Sequence, residues 1–268
     1  MTLRGVKVGM FGMSRSRSDG PRGPKGQRAY VVGDVHGRLD LLEQLIGQIH
    51  QDLAARPANK ALIVFLGDLI DRGPSSAQVV ERLRTYRHDQ LRPIFLLGNH
   101  EEVLLRLLGG ETQLIPGWLR FGGAQCLQSY GADSQAIAVA PNAAALAAIR
   151  QAIPANHVEF LRSFVDTCRF GDYLFVHAGI RPGVALDQQR QSDLRWIREP
   201  FLLDESDHGF VVVHGHTITN GTDERPNRIG IDTGAYRTGT LTALAIEGGE
   251  RQYLDTTMNV GTAVSSAH

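Results

Sequence analysis

From Ala29 onward, short apolar runs rich in β-branched residues alternate with longer segments whose apolar positions recur every three or four residues. The runs 29–32, 61–66, 93–97, 173–176 and 210–213 are strand-length and carry no charge, the pattern of strands covered on both faces. Between the first three lie 39–54 and 75–86, whose period is that of helices packed on a sheet. This βαβαβ order predicts a layered α/β fold with right-handed crossovers, in which sites collect beyond the carboxyl ends of the strands. The stretch 104–164 has no comparable strand and includes the Ala-rich run 138–148, which predicts a helical cap insertion. Runs 228–232, 241–246 and 251–254 are β-like, and the expectation is that they complete a second, antiparallel-leaning sheet.

Three predicted strands end alike, in Gly33-Asp34-Val35-His36-Gly37, Gly67-Asp68-Leu69-Ile70-Asp71-Arg72-Gly73 and Gly98-Asn99-His100-Glu101. A glycine lets the backbone turn where the strand stops, and the next side chain then projects over the sheet edge. Asp34 and His36, two apart, offer an oxygen and a nitrogen to one cation. Asp68 follows Asp34 by 34 residues and Asn99 follows Asp68 by 31, close to one βαβ unit each, so their strands are expected to be neighbours. A carboxylate at Asp68 can bridge two cations, and His177 and His216 sit in the same strand-end setting further along. Carboxylate, carboxamide and imidazole without thiolate suit Mn, with Fe or Zn also accommodated. Two such ions roughly 3.5 to 4 Å apart can activate water and clamp a phosphate. Arg72 is the first candidate phosphate clamp. His100, beside the ligand Asn99, is the candidate general acid, with Asp71 as the carboxylate that orients it.

Composition places bounds on this reading. The chain has 268 residues, 42% of them hydrophobic, enough for one sizeable domain. No apolar run approaches the roughly 20 residues of a membrane span, and the N-terminus shows no continuous apolar core of a secretory signal, so the expectation is a cytoplasmic protein with no membrane partner. Cys126 and Cys168 are too few for a disulfide framework and are expected to be buried thiols. Net charge is zero, yet residues 1–28 hold seven Lys or Arg against Asp19, a local +6 that leaves −6 for the remainder. The basic Gly, Ser and Pro-rich stretch 1–28 is expected to be a flexible tail and not a specific nucleic-acid arm, with a second tail at 258–268. His214 is expected to pack or to support the site from behind, Glu101 to cap or stiffen its turn, and His50, His88, His157, His208 and His268 to be solvated.

The ordered signatures GDxHG, GDxxDRG, GNHE, HAG and GH resemble the phosphoprotein phosphatase branch of the calcineurin-like metallophosphoesterases, over residues 29 to about 254. The resemblance implies a four-layer α/β/β/α sandwich, spanning 29–257, with two divalent metals. It places Asp34, His36, Asp68, Asn99, His177 and His216 on metal, Arg72 on phosphate, and His100 with Asp71 as the acid dyad. Where eukaryotic members carry a Cys-containing loop, this chain has Ile231-Asp232-Thr233-Gly234-Ala235-Tyr236, similar to the bacterial and phage branch. In that branch a second phosphate-contacting arginine follows a Trp, which implies the same role for Arg198 after Trp196. The expected activity is phosphomonoester hydrolysis of the protein Ser/Thr phosphatase type, on a phosphorylated protein or a small phosphoester. Symmetrical hydrolysis of diadenosine tetraphosphate is the alternative, and an inactive phospho-ligand scaffold is the reading from another class.

Overall fold

The computed structural model describes residues 20–257, so the greater part of the basic tail, the 258–268 tail and His268 lie outside the described residues. The chain runs β1 (Gln27–Val32), α1 (Leu39–Ala55), β2 (Lys60–Phe65), α2 (Ser76–Arg84), β3 (Leu91–Phe95) and α3 (Asn99–Leu108). Short helices α4 (Ile115–Trp118), α5 (Ala124–Ser129), α6 (Ser134–Val139), α7 (Asn142–Ala152) and α8 (Ala155–Arg162) follow. Then come β4 (Thr167–Phe170), β5 (Tyr173–Val176), α9 (Gln191–Trp196), α10 (Glu199–Leu202), β6 (Val211–His214), β7 (Asp223–Glu224) and β8 (Arg228–Gly230). The chain closes with α11 (Ala235–Thr238), β9 (Thr242–Glu247) and β10 (Glu250–Asp255).

Two five-stranded sheets form, in the orders β10-β9-β1-β2-β3 and β4-β5-β6-β8-β7. Strands β1, β2 and β3 are parallel neighbours, as the motif spacing predicts, and so are β5, β6 and β8. The expectation for the late strands is overturned in part. β9 and β10 do not join the second sheet but extend the first, β9 running antiparallel to β1 with Ala29 opposite Ile246. β4 and β7, which the sequence pattern did not single out, edge the second sheet. Gln27 and Arg28, counted with the tail from sequence, belong to β1. Arg28 is buried and pairs with Glu247 and Asp52, so its charge is anchored and not free.

Strict alternation along each strand creates the layers. Tyr30, Val32, Ile63 and Phe65 face the helices of the first half, while Ala29, Val31, Val64 and Leu66 face the opposite way. The latter meet Tyr173, Phe175, Val211, Val213 and Ile229 of the second sheet. The alternate residues of that sheet, Leu174, Val176 and Val212, pack outward on Leu194 of α9, Phe201 of α10 and Ile197 between them. The result is helix, sheet, sheet, helix, with two sheets flanked by helices. Each fully buried Val, Leu, Ile or Phe here contributes about 1.5–3 kcal/mol of burial. The stretch 104–164 is helical throughout its ordered elements and packs on the first-sheet side. Among the described residues no helix is long and apolar enough to cross a membrane. Cys126 is buried, whereas Cys168 on edge strand β4 is only half-buried. His157 departs from its solvated expectation: it is buried, within hydrogen-bond distance of Tyr130 and Glu81.

Candidate metal and phosphate site

All the predicted ligands lie at or just past strand ends on one edge of the two sheets, and all are buried. The backbone there is unusual. His36, Asp68, Asp71, Arg72 and His216 are the non-glycine residues with positive φ among the described residues, at +44°, +48°, +70°, +66° and +62°. Strain confined to one cluster of polar residues marks a site whose geometry the surrounding fold enforces. The motif glycines serve it differently from one another. Gly67 takes a positive φ of +105°, whereas Gly98 has ordinary φ and is required for closeness, since a Cβ there would lie 2.3 Å from Asp68 Oδ1.

Asp68 is the hub. Its Oδ2 lies 3.6 Å from His36 Nε2 and 3.9 Å from His100 Nε2, and its Oδ1 lies 3.5 Å from His177 Nε2. His36, Asp68 and His100 form one group able to hold a metal ion, and Asp68, His177 and His216 form another, so Asp68 belongs to both. Asn99 Oδ1 sits 2.9 Å from both His177 Nε2 and His216 Nδ1. His177 and His36 donate through Nδ1 to the carbonyls of Leu66 and Ile70, at 2.9 and 2.8 Å, which leaves their Nε2 lone pairs facing inward. Asp34 is in neither group. Its Oδ2 accepts from the backbone N–H of His216 at 3.0 Å, and its Oδ1 has no hydrogen-bond partner among the described residues.

Glu101 supports this hub from beneath. Its carboxylate accepts from the backbone N–H groups of Gly98, Asp68, Leu69 and Ile70. The expected cap is present, and it also locks the turn after β2. Asn99 and His100 occupy the first turn of α3 and not a free turn, so successive side chains diverge by the roughly 100° of a helix. Asn99 therefore faces His177 and His216 while His100 faces Asp71, whose Oδ2 is 2.6 Å from His100 Nδ1. Asp71 is held in turn by the indole N–H of Trp118, at 3.0 Å to Oδ2.

The electrostatics separate these imidazoles. Burial holds His36 well below its ordinary value against the pull of Asp68, and burial likewise lowers His177. Burial, with His177 adding to it, pushes His216 down to about 3. These three are thus neutral near pH 7, the state that ligates a metal. Burial also acts downward on His100, but Asp68 and Asp71 outweigh it and raise the ring to about 8, which favours the proton-carrying form. Burial raises Asp71, with its bond to His100 opposing. Burial works upward on Asp68 as well, yet the surrounding imidazoles hold it below the usual carboxylate range.

Arg72 reaches across this edge, its guanidinium nitrogens 3.0 Å from His36 Nε2 and 3.1 Å from His100 Nε2. Its guanidinium lies over the Tyr236 ring, 4.8 Å from the centroid, and its backbone N–H donates to Gly122. Arg198 is exposed just ahead of α10, and its charge acts on His177 and His216. His214 is buried against Phe201 and enters neither metal-capable group.

Three contributors escape the sequence reading: Trp118 behind Asp71, Tyr236 over Arg72, and Asp232. Asp232 is 1% exposed and follows β8. Its Oδ1 accepts from the Gly234 N–H at 2.9 Å, while its Oδ2 has no hydrogen-bond partner among the described residues. Burial and nearby carboxylates raise both Asp34 and Asp232. The only sequence signal was an acidic residue at a strand end followed by Thr and Gly.

The donor set fits divalent cations. His177 Nε2 and Asn99 Oδ1 face each other as two lone pairs, Asp34 Oδ1 and His216 Nε2 are buried without partners, and oxygen and nitrogen ligands are mixed without sulfur.

The sequence profile of calcineurin-like phosphoesterases matches residues 28–237. Serine/threonine-protein phosphatase 1 of Salmonella typhimurium (strain LT2) is 28% identical over 232 residues, covering 82% of this chain and 93% of that protein. The asymmetrical bis(5'-nucleosyl)-tetraphosphatase PrpE of Anoxybacillus flavithermus (strain WK1) is 25% identical over 237 residues, covering 80% and 88%. The crystal structure of a candidate diadenosine tetraphosphatase superposes with a TM-score of 0.59 at 23% identity, over 86% of this chain and 94% of that one, which supports the fold. With the profile spanning most of its length, the chain belongs to the calcineurin-like phosphoesterase family and is a hydrolase of phosphoric esters.

Proposed function

We propose that this protein is a two-metal phosphomonoesterase of the protein Ser/Thr phosphatase type. The observation that carries the reading is the convergence on Asp68 of imidazole nitrogens from three separate chain segments, with the Arg72 guanidinium spanning two of those rings. Asp34, His36, Asp68, Asn99, His177 and His216 would hold the two ions, and this mixed oxygen and nitrogen set suits Mn, with Fe or Zn fitting as well. When bound, the ions supply an activated water and positive charge for the phosphoryl oxygens. Arg72 binds the non-bridging oxygens of the phosphate, where its planar fork matches their geometry. Arg198, free of burial at the rim, is the second clamp. His100, oriented through Nδ1 by Asp71, gives a proton from Nε2 to the departing alkoxide. The helical stretch 104–164 of the 29–257 domain shapes access, since Gly122 within it contacts Arg72.

Similarity to the Salmonella phosphatase along most of both chains supports a phosphorylated Ser or Thr as substrate. Similarity to PrpE supports a second reading, hydrolysis of dinucleoside tetraphosphates, symmetrical cleavage being the variant expected from the motifs. One experiment separates them: Mn-loaded protein assayed side by side on a phosphothreonine peptide, p-nitrophenyl phosphate and diadenosine tetraphosphate. The first reading expects both monoesters to be hydrolysed with kcat/KM above that for the dinucleotide. Cleavage of the dinucleotide alone would replace it by the second.

A further inference from the structure

We propose that Asp232, which lies outside the six-residue ligand set, lends its carboxylate to the cation bound by Asp34. This inference rests on the reading of the site as a metal centre.

The case begins with what each carboxylate lacks. Asp34 is 2% exposed and Asp232 is 1% exposed, so neither can complete its hydration in bulk water. Asp34 Oδ2 is committed to the His216 backbone N–H and Asp232 Oδ1 to the Gly234 backbone N–H. The remaining oxygen of each, Asp34 Oδ1 and Asp232 Oδ2, has no donor among the described residues. The two carboxylates follow directly on residues that touch, Gly33 before Asp34 and Ile231 before Asp232. A Cβ on Gly33 would lie 2.6 Å from the Ile231 carbonyl oxygen, a contact made between one sheet and the other. The ends of β8 and β1 are thereby drawn together across the two sheets.

Two buried carboxylates with bare oxygens persist in one of two ways: one proton is shared between them, or a cation lies against both. Arg72 does not supply that cation by contact, since its guanidinium nitrogens are engaged with His36 and His100. His216 bonds Asp34 Oδ2 through its backbone N–H, while its ring belongs to the group of Asp68 and His177. With Asp34 read as a ligand, its carboxylate must be ionised to hold the cation, and a proton shared with Asp232 would oppose that, whereas a cation facing both oxygens satisfies both. Asp232 therefore raises the negative charge facing that ion.

The test is titration of chelator-stripped protein with Mn alone, by isothermal calorimetry, together with thermal melts with and without Mn. Asp232→Asn keeps the side-chain shape and an oxygen for the Gly234 N–H, and its amide can donate to Asp34 Oδ1. The expected result is at least tenfold weaker binding at one of two sites, the other unchanged, with an apo melting temperature equal to or above wild type and a smaller rise on adding Mn. A purely structural Asp232 would give the reverse, a lower apo melting temperature with both Mn affinities within twofold of wild type, and that would overturn the proposal. Should Asp232→Asn fail to fold, Asp232→Ser is read by the same Mn criterion. Wild-type protein that takes up no Mn would overturn the metal reading itself along with this inference, whereas two-site wild-type binding matched by the variant would overturn the inference alone.

Discussion

The two ends of the site are completed by different means. At the Arg72 and His100 end, side chains close on one another: Trp118 holds Asp71, Asp71 holds His100, and Arg72 spans His36 and His100 above the Tyr236 ring. At the Asp34 and Asp232 end, two buried carboxylate oxygens are left without hydrogen-bond partners among the described residues. An unpaired buried polar group costs about 1–3 kcal/mol, more if charged, so that arrangement is sustainable where something else supplies the partner. The contrast teaches a division of labour. On the proposed reading, the protein prebuilds the end that would handle phosphate and proton, and leaves the other to be finished by cations.

The sharpest way to break that contrast is His100→Asn. If His100 is the acid, kcat on an alkyl phosphomonoester falls by about 10²–10⁴-fold while Mn affinity stays at the wild-type value. The defect should shrink on p-nitrophenyl phosphate, whose leaving group scarcely needs a proton. Asp34→Asn is the mirror case and should weaken Mn binding along with the rate. His100 also stands in a metal-capable group with His36 and Asp68, so loss of Mn in His100→Asn, measured by calorimetry, would erase the distinction between the two ends.

Each end was legible in the sequence only in part, for a physical reason. Asp34, Asp68 and Asn99 each follow a glycine at the end of an apolar run, a local pattern that needs no tertiary knowledge. Asp71 and Arg72 ride in the same turn as Asp68. Asp232 has no such glycine immediately before it, and its meaning arises only when the ends of β8 and β1 meet across the sandwich. The same limit explains β9 and β10: alternation tells which face a residue takes, not which strand it pairs with, and Ala29 opposite Ile246 joins positions more than 200 residues apart. Likewise His157 is buried because Tyr130 and Glu81 arrive from other helices, and Trp118 reaches Asp71 across 47 residues.

A middle-sized effect is expected from Gly122→Ala, which probes how firmly the helical stretch holds the prebuilt end. Gly122 has φ +117° and its carbonyl accepts the Arg72 N–H at 3.2 Å. A Cβ there would lie 2.4 Å from the Arg72 backbone nitrogen, so either the kinked segment or the arginine must shift. Strain of this kind is on the order of 1–3 kcal/mol, and about 1.4 kcal/mol corresponds to tenfold. The expected outcome is a roughly tenfold fall in kcat/KM with Mn binding unchanged. Undiminished kcat/KM would show that the stretch 104–164 does not position the clamp.

The smallest expected effect concerns Tyr236, half-buried in α11, whose ring carries the Arg72 guanidinium at 4.8 Å and meets the His36 ring edge-on at 5.4 Å. A cation over an aromatic face that is partly open to solvent gains about 0.5–1 kcal/mol, which corresponds to roughly 2- to 5-fold in affinity. Tyr236→Leu removes the ring face and should raise the inhibition constant of inorganic phosphate by a factor in that range, because the arginine loses the surface that aims it. Tyr236→Phe keeps the face and should remain near wild type, with Mn affinity the same in all three proteins. If Tyr236→Phe is as weak as Tyr236→Leu, the hydroxyl and not the stacked ring is what the phosphate end depends on, and the prebuilt end extends one hydrogen-bonding group further than the contacts among Trp118, Asp71, His100 and Arg72.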